Sequence, residues 1–210
     1  MEAVIDFFTP ARCIELLGLL TGLCYLWFEY HANPLVWLVG IVMPVISMWV
    51  YFTKGLYADF GINIYYLVMA IYGYAAWTFN FRKKTRQELP VSRLRLRVGI
   101  TLAAVAALLW ALLAWILIAF TDSTVPYADA FTTALSIVGM WMMARKIAEQ
   151  WLVWFIVDVV CVVLYVYKGI YFYAGLYTAY TVVSVLGYRK WLRMIPAFSS
   201  AAEASIGKFH

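Results

Sequence analysis

Seven long apolar segments make up most of this chain, and each is long enough to cross a bilayer as a helix. The clearest is residues 98–120, which carries no charged side chain. The others are roughly residues 12–30, 34–53, 55–79, 127–145, 148–167 and 169–190. Because 66% of the residues are hydrophobic and only 13% are charged, the composition also departs from that of a soluble domain. We therefore predict an all-α integral membrane protein with seven transmembrane helices.

The basic residues predict how these helices are oriented. The one long polar interruption, residues 81–97, contains seven lysines and arginines, and such loops favour the cytoplasm. Alternating outward from it leaves Arg12, Lys54 and Lys168 outside and the other thirteen of the sixteen basic residues inside. The prediction is an N-terminus outside and a C-terminus inside, ending in a frayed tail at residues 199–210.

An internal repeat organises the sequence. Trp37 and Trp151 are 114 residues apart, and at this spacing (151 − 37) residues 37–77 match residues 151–191 at 14 of 41 positions without a gap. The matches include the Lys-Gly pairs at 54–55 and 168–169 and the tryptophans Trp77 and Trp191. Composition alone gives far fewer matches, so the repeat indicates a duplication.

The duplication predicts a three-plus-one-plus-three arrangement of the seven helices. The first triple is residues 12–79, the linker helix is residues 98–120, and the second triple is residues 127–191. A single linker helix returns the second triple to the orientation of the first, which makes a parallel repeat. Parallel repeats are typical of transporters that bind substrate between their halves near the bilayer midplane.

One acid stands out within the apolar stretch WLVWFIVD at 151–158. Trp151, Trp154 and Asp158 are spaced i, i+3 and i+7, so they share one face of a helix. An acid at bilayer depth costs about 2.5–3.5 kcal/mol even on lenient scales, so it should face the bundle or a wet cavity. Indole faces beside an acid suit a flat, positively charged solute. The alternative is a carboxylate paired with hydroxyls of another helix, with the tryptophans only marking the interface.

Further candidates for substrate contact are polar or aromatic residues in the other helices. Asn63 and Tyr66 share a face of the third helix with Asp59, while Trp37 is the repeat counterpart of Trp151. The full candidate set is Trp37, Asn63, Tyr66, Trp151, Trp154 and Asp158, with Met43 added below, and with Glu15, Asp59 and Gln150 as possible members. Glu15 is equally well read as a buried tie between helices.

Several other classes of function find no support in the sequence. Cys13, Cys24 and Cys161 lack metal-ligand spacing, no nucleophile and base share a useful spacing, and no phosphate-binding motif is present. Residues 170–188 contain no lysine that could hold retinal. We therefore expect no cofactor, no metal, no nucleic-acid partner and no enzymatic activity.

Taken together, these segments resemble the Pnu family of bacterial vitamin transporters. The resemblance rests on IYGYAAW (71–77), ALSIVGMWMMARKIAEQWLVW (134–154), LYVYKGIYFYAGLY (164–177) and GYRKW (187–191). It implies location in the bacterial inner membrane, a homo-trimer, and facilitated diffusion of an unphosphorylated vitamin that a cytoplasmic kinase then traps.

The resemblance also bears on the substrate. Trp151 and Trp154 match the family's aromatic pair, whereas Asp158 and Met43 stand where nicotinamide riboside transporters are expected to carry asparagine. Thiamine and nicotinamide riboside both carry a positive ring charge that suits an acid. The two departures favour thiamine narrowly, with nicotinamide riboside as the alternative and riboflavin or a deoxynucleoside behind them.

Overall fold

The fold is seen in a computed structural model that describes residues 10–53, 57–79, 89–121 and 123–206, apart from some side chains within them. Over these ranges the chain forms seven helices and no strand. They are α1 (Pro10–Tyr30), α2 (Leu35–Thr53), α3 (Tyr57–Thr78), α4 (Leu96–Phe120), α5 (Pro126–Ala144), α6 (Gln150–Tyr167) and α7 (Tyr171–Ile206). The predicted all-helical class is confirmed.

The helix ends follow the sequence breaks within a few residues, except at the C-terminus. The tail was expected to fray, but α7 continues as far as Ile206. A helix that leaves the bilayer no longer needs apolar side chains, and Arg189, Lys190 and Arg193 can be hydrated there while the backbone bonds continue. The first part of the basic loop lies outside the described residues, which omit residues 80–88, as do Lys54 and Gly55.

The chain divides into two compact units, Met1–Glu88 and Leu89–His210, which are described separately. In the first, α1 packs on α2 and α2 on α3; in the second, α4 packs on α5, α5 on α6 and α6 on α7. The expected linker helix α4 thus belongs to the second unit, where the Trp110 indole N–H donates to the carbonyl of Tyr127 at 2.9 Å. The arrangement of two triples about a common axis stays a prediction.

Apolar side chains cover the outside of α4. Leu96 is 81% exposed and Leu108 is 72% exposed, and Ala114 is the buried residue of this helix. Among the described residues, α4 and α6 meet a length-and-composition test for crossing a membrane. A surface of this kind is compatible with lipid rather than water as its surroundings.

The turn between the first two helices of each triple has the same backbone geometry. Ala32 and Lys146, 114 residues apart, have left-handed φ values of 51° and 50°. In both turns two hydrogen bonds close the preceding helix. The first is Asn33 N–H to Phe28 O at 2.9 Å, which matches Ile147 N–H to Met142 O at 3.0 Å. The second is donated by the N–H of Ala32 or Lys146 to the carbonyl three residues before it, at 2.9 Å in both turns. This is the Schellman helix ending. The repeat seen in the sequence therefore recurs in the backbone of these two turns.

A second repeated feature joins the last two helices of each triple. Trp37 of α2 and Trp151 of α6 are almost wholly buried, each edge-on to a second tryptophan at 88°, with centroids 5.5 Å apart for Trp77 and 5.9 Å apart for Trp191. Each ring also lies directly on a glycine. A Cβ added at Gly73 would come within 2.3 Å of Trp37, and one at Gly187 within 2.6 Å of Trp151.

The segment before α4 is fastened to the start of α6. The Ser92 N–H donates to Lys146 O, and the Ala148 N–H donates to Ser92 O, both at 2.9 Å. Glu149 then accepts from Arg93 Nε at 2.8 Å and from the Leu94 N–H at 2.7 Å. Because a carboxylate bonded to backbone N–H groups is a strong acceptor, Glu149 fixes this segment against the first turn of α6.

Replacing Gly187 by alanine is expected to destabilise the protein by about 1–3 kcal/mol, because the new methyl group would overlap the Trp151 ring. Gly175→Ala in the same helix is the matched control, since nothing lies within 4 Å of its added Cβ. Thermal unfolding in detergent micelles measures both. Equal melting temperatures for the two variants would contradict the packing described for Trp151.

Replacing Glu149 by alanine should destabilise the protein by about 1–3 kcal/mol, because the partly buried Leu94 N–H loses its acceptor. Arg93→Ala removes only the exposed half of the ion pair and should cost less than about 1 kcal/mol. Hydrogen exchange at Leu94 provides a local measurement. Slow exchange retained in Glu149→Ala would show that this carboxylate does not hold the segment.

Candidate functional site

Helix α6 presents the candidate residues in the order the sequence predicts. Trp151, Trp154 and Asp158 follow one another over two turns of an unbroken helix. Their surroundings nevertheless differ. Trp151 is 1% exposed and Asp158 is 6% exposed, while Trp154 is of intermediate burial.

Trp151 has the surroundings of a packing residue. Its ring is enclosed by Gly187 and Trp191, and the same enclosure surrounds Trp37 in the other unit. The indole nitrogens of both have no hydrogen-bond partner among the described residues. Since the feature occurs in both halves of the repeat, it is explained by the shared scaffold, and a ligand is not needed to account for it.

Trp154 belongs to a different arrangement, in which the two halves exchange the positions of a glycine and an aromatic ring. Trp154 of α6 lies beside Gly139 of α5, 3.5 Å from where a Cβ would be. The repeat counterparts are Gly40 of α2 and Tyr25 of α1, and Tyr25 lies 3.1 Å from an added Cβ at Gly40. Each of these two helix interfaces therefore contains one aromatic ring. In the first unit the ring comes from α1, and in the second unit it comes from α6, the helix that carries Asp158.

Asp158 is held by a hydroxyl of the neighbouring helix. Ser184 of α7, itself 3% exposed, donates through Oγ to Asp158 Oδ2 at 3.0 Å. The other oxygen, Oδ1, has no hydrogen-bond partner among the described residues. Pairing with a hydroxyl was the structural alternative raised from the sequence, and it is present. It satisfies one of the two oxygens, so it leaves the other able to accept from a bound solute.

The first unit has no counterpart of this polar pair. At the 114-residue spacing Asp158 corresponds to Pro44 and Ser184 to Ala70, both buried. Acid and hydroxyl thus occur together where the other half has two apolar residues. An unrelated buried acid has no reason to be matched in this way, so the two polar residues form one unit.

Four tyrosines extend from the acid toward the α6–α7 turn. The rings of Tyr165 and Tyr173 stack at 5.5 Å, those of Tyr165 and Tyr177 are 5.3 Å apart, and Tyr180 lies 5.5 Å from Tyr177. The Tyr177 hydroxyl donates to that of Tyr165. Tyr177 and Tyr180 both lie close enough to Asp158 to interact with its charge.

Sequence reasoning missed this tyrosine cluster and Ser184, although the repeat contains the signal. Tyr173, Tyr177 and Tyr180 occupy the positions that Asp59, Asn63 and Tyr66 hold in the first half. The same alignment pairs Ser184 with Ala70, which marks it as a second polar replacement besides Asp158.

The remaining candidates are distributed over both units. Asn63 and Tyr66 are half-buried on α3, and Tyr66 lies 5.7 Å from Tyr65. Gln150 is fully buried at the start of α6. The side chains of Glu15, Met43 and Asp59 lie outside the described residues, so these three stay predictions.

Comparison with known proteins identifies the family. A sequence profile described as "Nicotinamide mononucleotide transporter" matches residues 12–193, which is most of the chain. The chain belongs to this family. The resemblance to the Pnu family drawn from the sequence is thereby confirmed.

Two kinds of named transporter are among its relatives. The nicotinamide riboside transporter PnuC of Escherichia coli (strain K12) is 24% identical over 203 residues, covering 85% of this chain and 84% of that protein. PnuC of Neisseria mucosa is 24% identical, covering 95% and 79%. The riboflavin/roseoflavin transporter RibM of Streptomyces davaonensis is also 24% identical, covering 90% and 89%.

A solved structure confirms the fold. The chain matches the structure described as "Crystal structure of the Vitamin B3 transporter PnuC" with a TM-score of 0.68 at 22% identity, covering 93% of this chain and 87% of that one. Together with the family, this makes the chain a membrane protein of the vitamin-transporter class.

Alanine substitutions at Trp151 and at Trp154 should differ in their cost to stability. Trp151→Ala empties a closed interface and should cost about 3–5 kcal/mol of stability. Trp154→Ala should cost less, because that ring is only half-buried. Thermal unfolding of the two variants tests this order, and a less stable Trp154→Ala would contradict it.

Proposed function

We propose that this protein carries nicotinamide riboside across the cytoplasmic membrane by facilitated diffusion. The observation that carries the proposal is the buried Asp158, one turn from the ring of Trp154. One of its oxygens is held by Ser184, and the other has no hydrogen-bond partner within the part of the chain that the structure describes. The family and the names of the E. coli and N. mucosa relatives support it.

The chemistry of the solute suits such a site. Nicotinamide riboside has a flat pyridinium ring with a fixed positive charge, a carboxamide and a ribose with hydroxyl donors. The carboxylate oxygen that Ser184 does not hold can accept from those donors and offset the ring charge, while an indole face provides cation–π contact. Tyr177 and Tyr180 of α7 interact with the charge of Asp158 and add aromatic surface near the acid.

The narrow preference for thiamine drawn from the sequence gains no support and is set aside. The relatives are named for nicotinamide riboside and for riboflavin or roseoflavin. An acid in place of asparagine distinguishes a cation from a neutral solute, but it does not distinguish one cationic vitamin from another. Riboflavin is neutral and gives Asp158 no opposite charge to meet, so it is a weaker candidate.

The proposed ligand site consists of Trp154 and Asp158 on α6, while Asn63 and Tyr66 on α3 keep the status of sequence predictions. Trp37 and Trp151 are assigned to the scaffold that holds these helices, because their rings are enclosed in the same way in both units. Gln150, Glu15, Met43 and Asp59 remain candidate contacts.

The cellular setting completes the proposal. The basic residues favour an N-terminus outside and a C-terminus inside the cytoplasmic membrane. With no phosphate-binding motif in the sequence, net uptake would depend on a cytoplasmic kinase that phosphorylates the incoming vitamin. Assembly as a homo-trimer is proposed from the family resemblance.

Purified protein is expected to bind nicotinamide riboside more tightly than thiamine or riboflavin, as measured by tryptophan fluorescence. Asp158→Asn should weaken nicotinamide riboside binding about tenfold or more, because a charge-assisted contact becomes a neutral one. Uptake into vesicles should stop when internal and external concentrations are equal.

Asp129→Asn is the matched control, since this partly exposed acid of α5 is placed 3.8 Å from Lys168 near the α6–α7 turn. It should leave nicotinamide riboside affinity within about twofold. Tight binding of thiamine with none of nicotinamide riboside would refute the proposed substrate. Accumulation above equilibrium in vesicles without a kinase would refute facilitated diffusion.

A further inference from the structure

We propose that Ser184 is a positioning residue that turns Asp158 into a charge filter, which admits the carboxamide form of the vitamin and rejects its carboxylate form, nicotinic acid riboside. The inference rests on the proposed function and adds a selectivity that the family resemblance does not provide. Its basis is the way the two oxygens of Asp158 are used.

Ser184 removes the rotational freedom of the acid. With Oδ2 accepting from a hydroxyl at 3.0 Å, the plane of the carboxylate is set by a residue of the neighbouring helix. Ser184 is 3% exposed, so water does not readily replace it as the donor. The position of Oδ1 is thus fixed before a solute arrives, and little ordering is left for binding to complete.

An acceptor fixed in this way distinguishes two nearly isosteric groups. A carboxamide offers N–H donors, which Oδ1 can accept. A carboxylate offers only acceptors and a negative charge, so it would bring a second acidic group against the buried Asp158. Two carboxylates that share a site cannot both be ionised without a large cost.

The repeat supports a joint role for the two residues. Pro44 and Ala70, their counterparts in the first unit, are both apolar, so acid and hydroxyl are present together or absent together. A serine needed only for packing would have no reason to accompany the acid. Ser136 of α5 shows the contrast, because its hydroxyl donates at 2.8 Å to Thr132 O of its own helix.

The test measures binding of nicotinamide riboside and nicotinic acid riboside at pH 8 to the wild type and to four variants: Ser184→Ala, Ser184→Thr, Asp158→Asn and Ser136→Ala. The wild type should prefer nicotinamide riboside by about 100-fold or more, since facing like charges are strongly disfavoured. Ser184→Ala should reduce this ratio about tenfold. Ser184→Thr should restore it, and Ser136→Ala should leave it unchanged.

Asp158→Asn should bring the ratio close to one, both by weaker binding of nicotinamide riboside and by tighter binding of nicotinic acid riboside. A purely structural role for Ser184 would weaken both ligands equally and leave the ratio as in the wild type, which would overturn the inference. Tight wild-type binding of both ligands would also overturn it while leaving the proposed function intact. Failure of the wild type to bind nicotinamide riboside would instead refute the proposed function, and the inference with it.

Discussion

A tryptophan ring seated on a glycine determines how the last two helices of each triple meet. In a bilayer the helices gain little from excluding water, so they depend on close packing, and a glycine lets a neighbouring side chain approach the backbone. Trp37 on Gly73 and Trp151 on Gly187 use this contact in the same way, each with a second tryptophan at a right angle. The contact fixes the axial rotation of α6 against α7. It therefore decides which residue of α7 comes opposite Asp158.

Because the scaffold is the same in both halves, other positions are free to differ. At one pair the first half has Pro44 and Ala70, while the second has Asp158 and Ser184. At a second pair of positions the aromatic ring and the glycine change places: the first half has Tyr25 and Gly40, and the second has Gly139 and Trp154. The acid and the indole both fall on α6, and the hydroxyl that bonds the acid comes from α7. The polar replacements of the second unit thus lie on two adjacent helices.

Much of the fold could be predicted from the sequence, because the length of the apolar segments and the 114-residue spacing are direct consequences of a duplicated helix bundle. The helix ends, Asp158 and its face on α6 followed from them. The packing of Trp151 on Gly187 did not follow, since an indole near an acid looks the same in sequence whether or not it lies on a glycine of a neighbouring helix. Ser184 was hidden for a similar reason: a serine within a transmembrane helix most often bonds its own backbone, as Ser136 does. Only packing shows that its partner is a carboxylate.

Helix α6 is restrained at successive points before any solute arrives. Glu149 ties its first turn to the segment before α4, Trp151 fixes its rotation on Gly187, and Ser184 orients the acid two turns further on. The first restraint uses the segment before α4, and the other two use α7. The free-energy cost of burying the acid is met when the protein folds, so a bound cation does not have to reorient the carboxylate. In the proposed charge filter, this rigidity would let a single carboxylate oxygen discriminate between solutes that differ by one functional group.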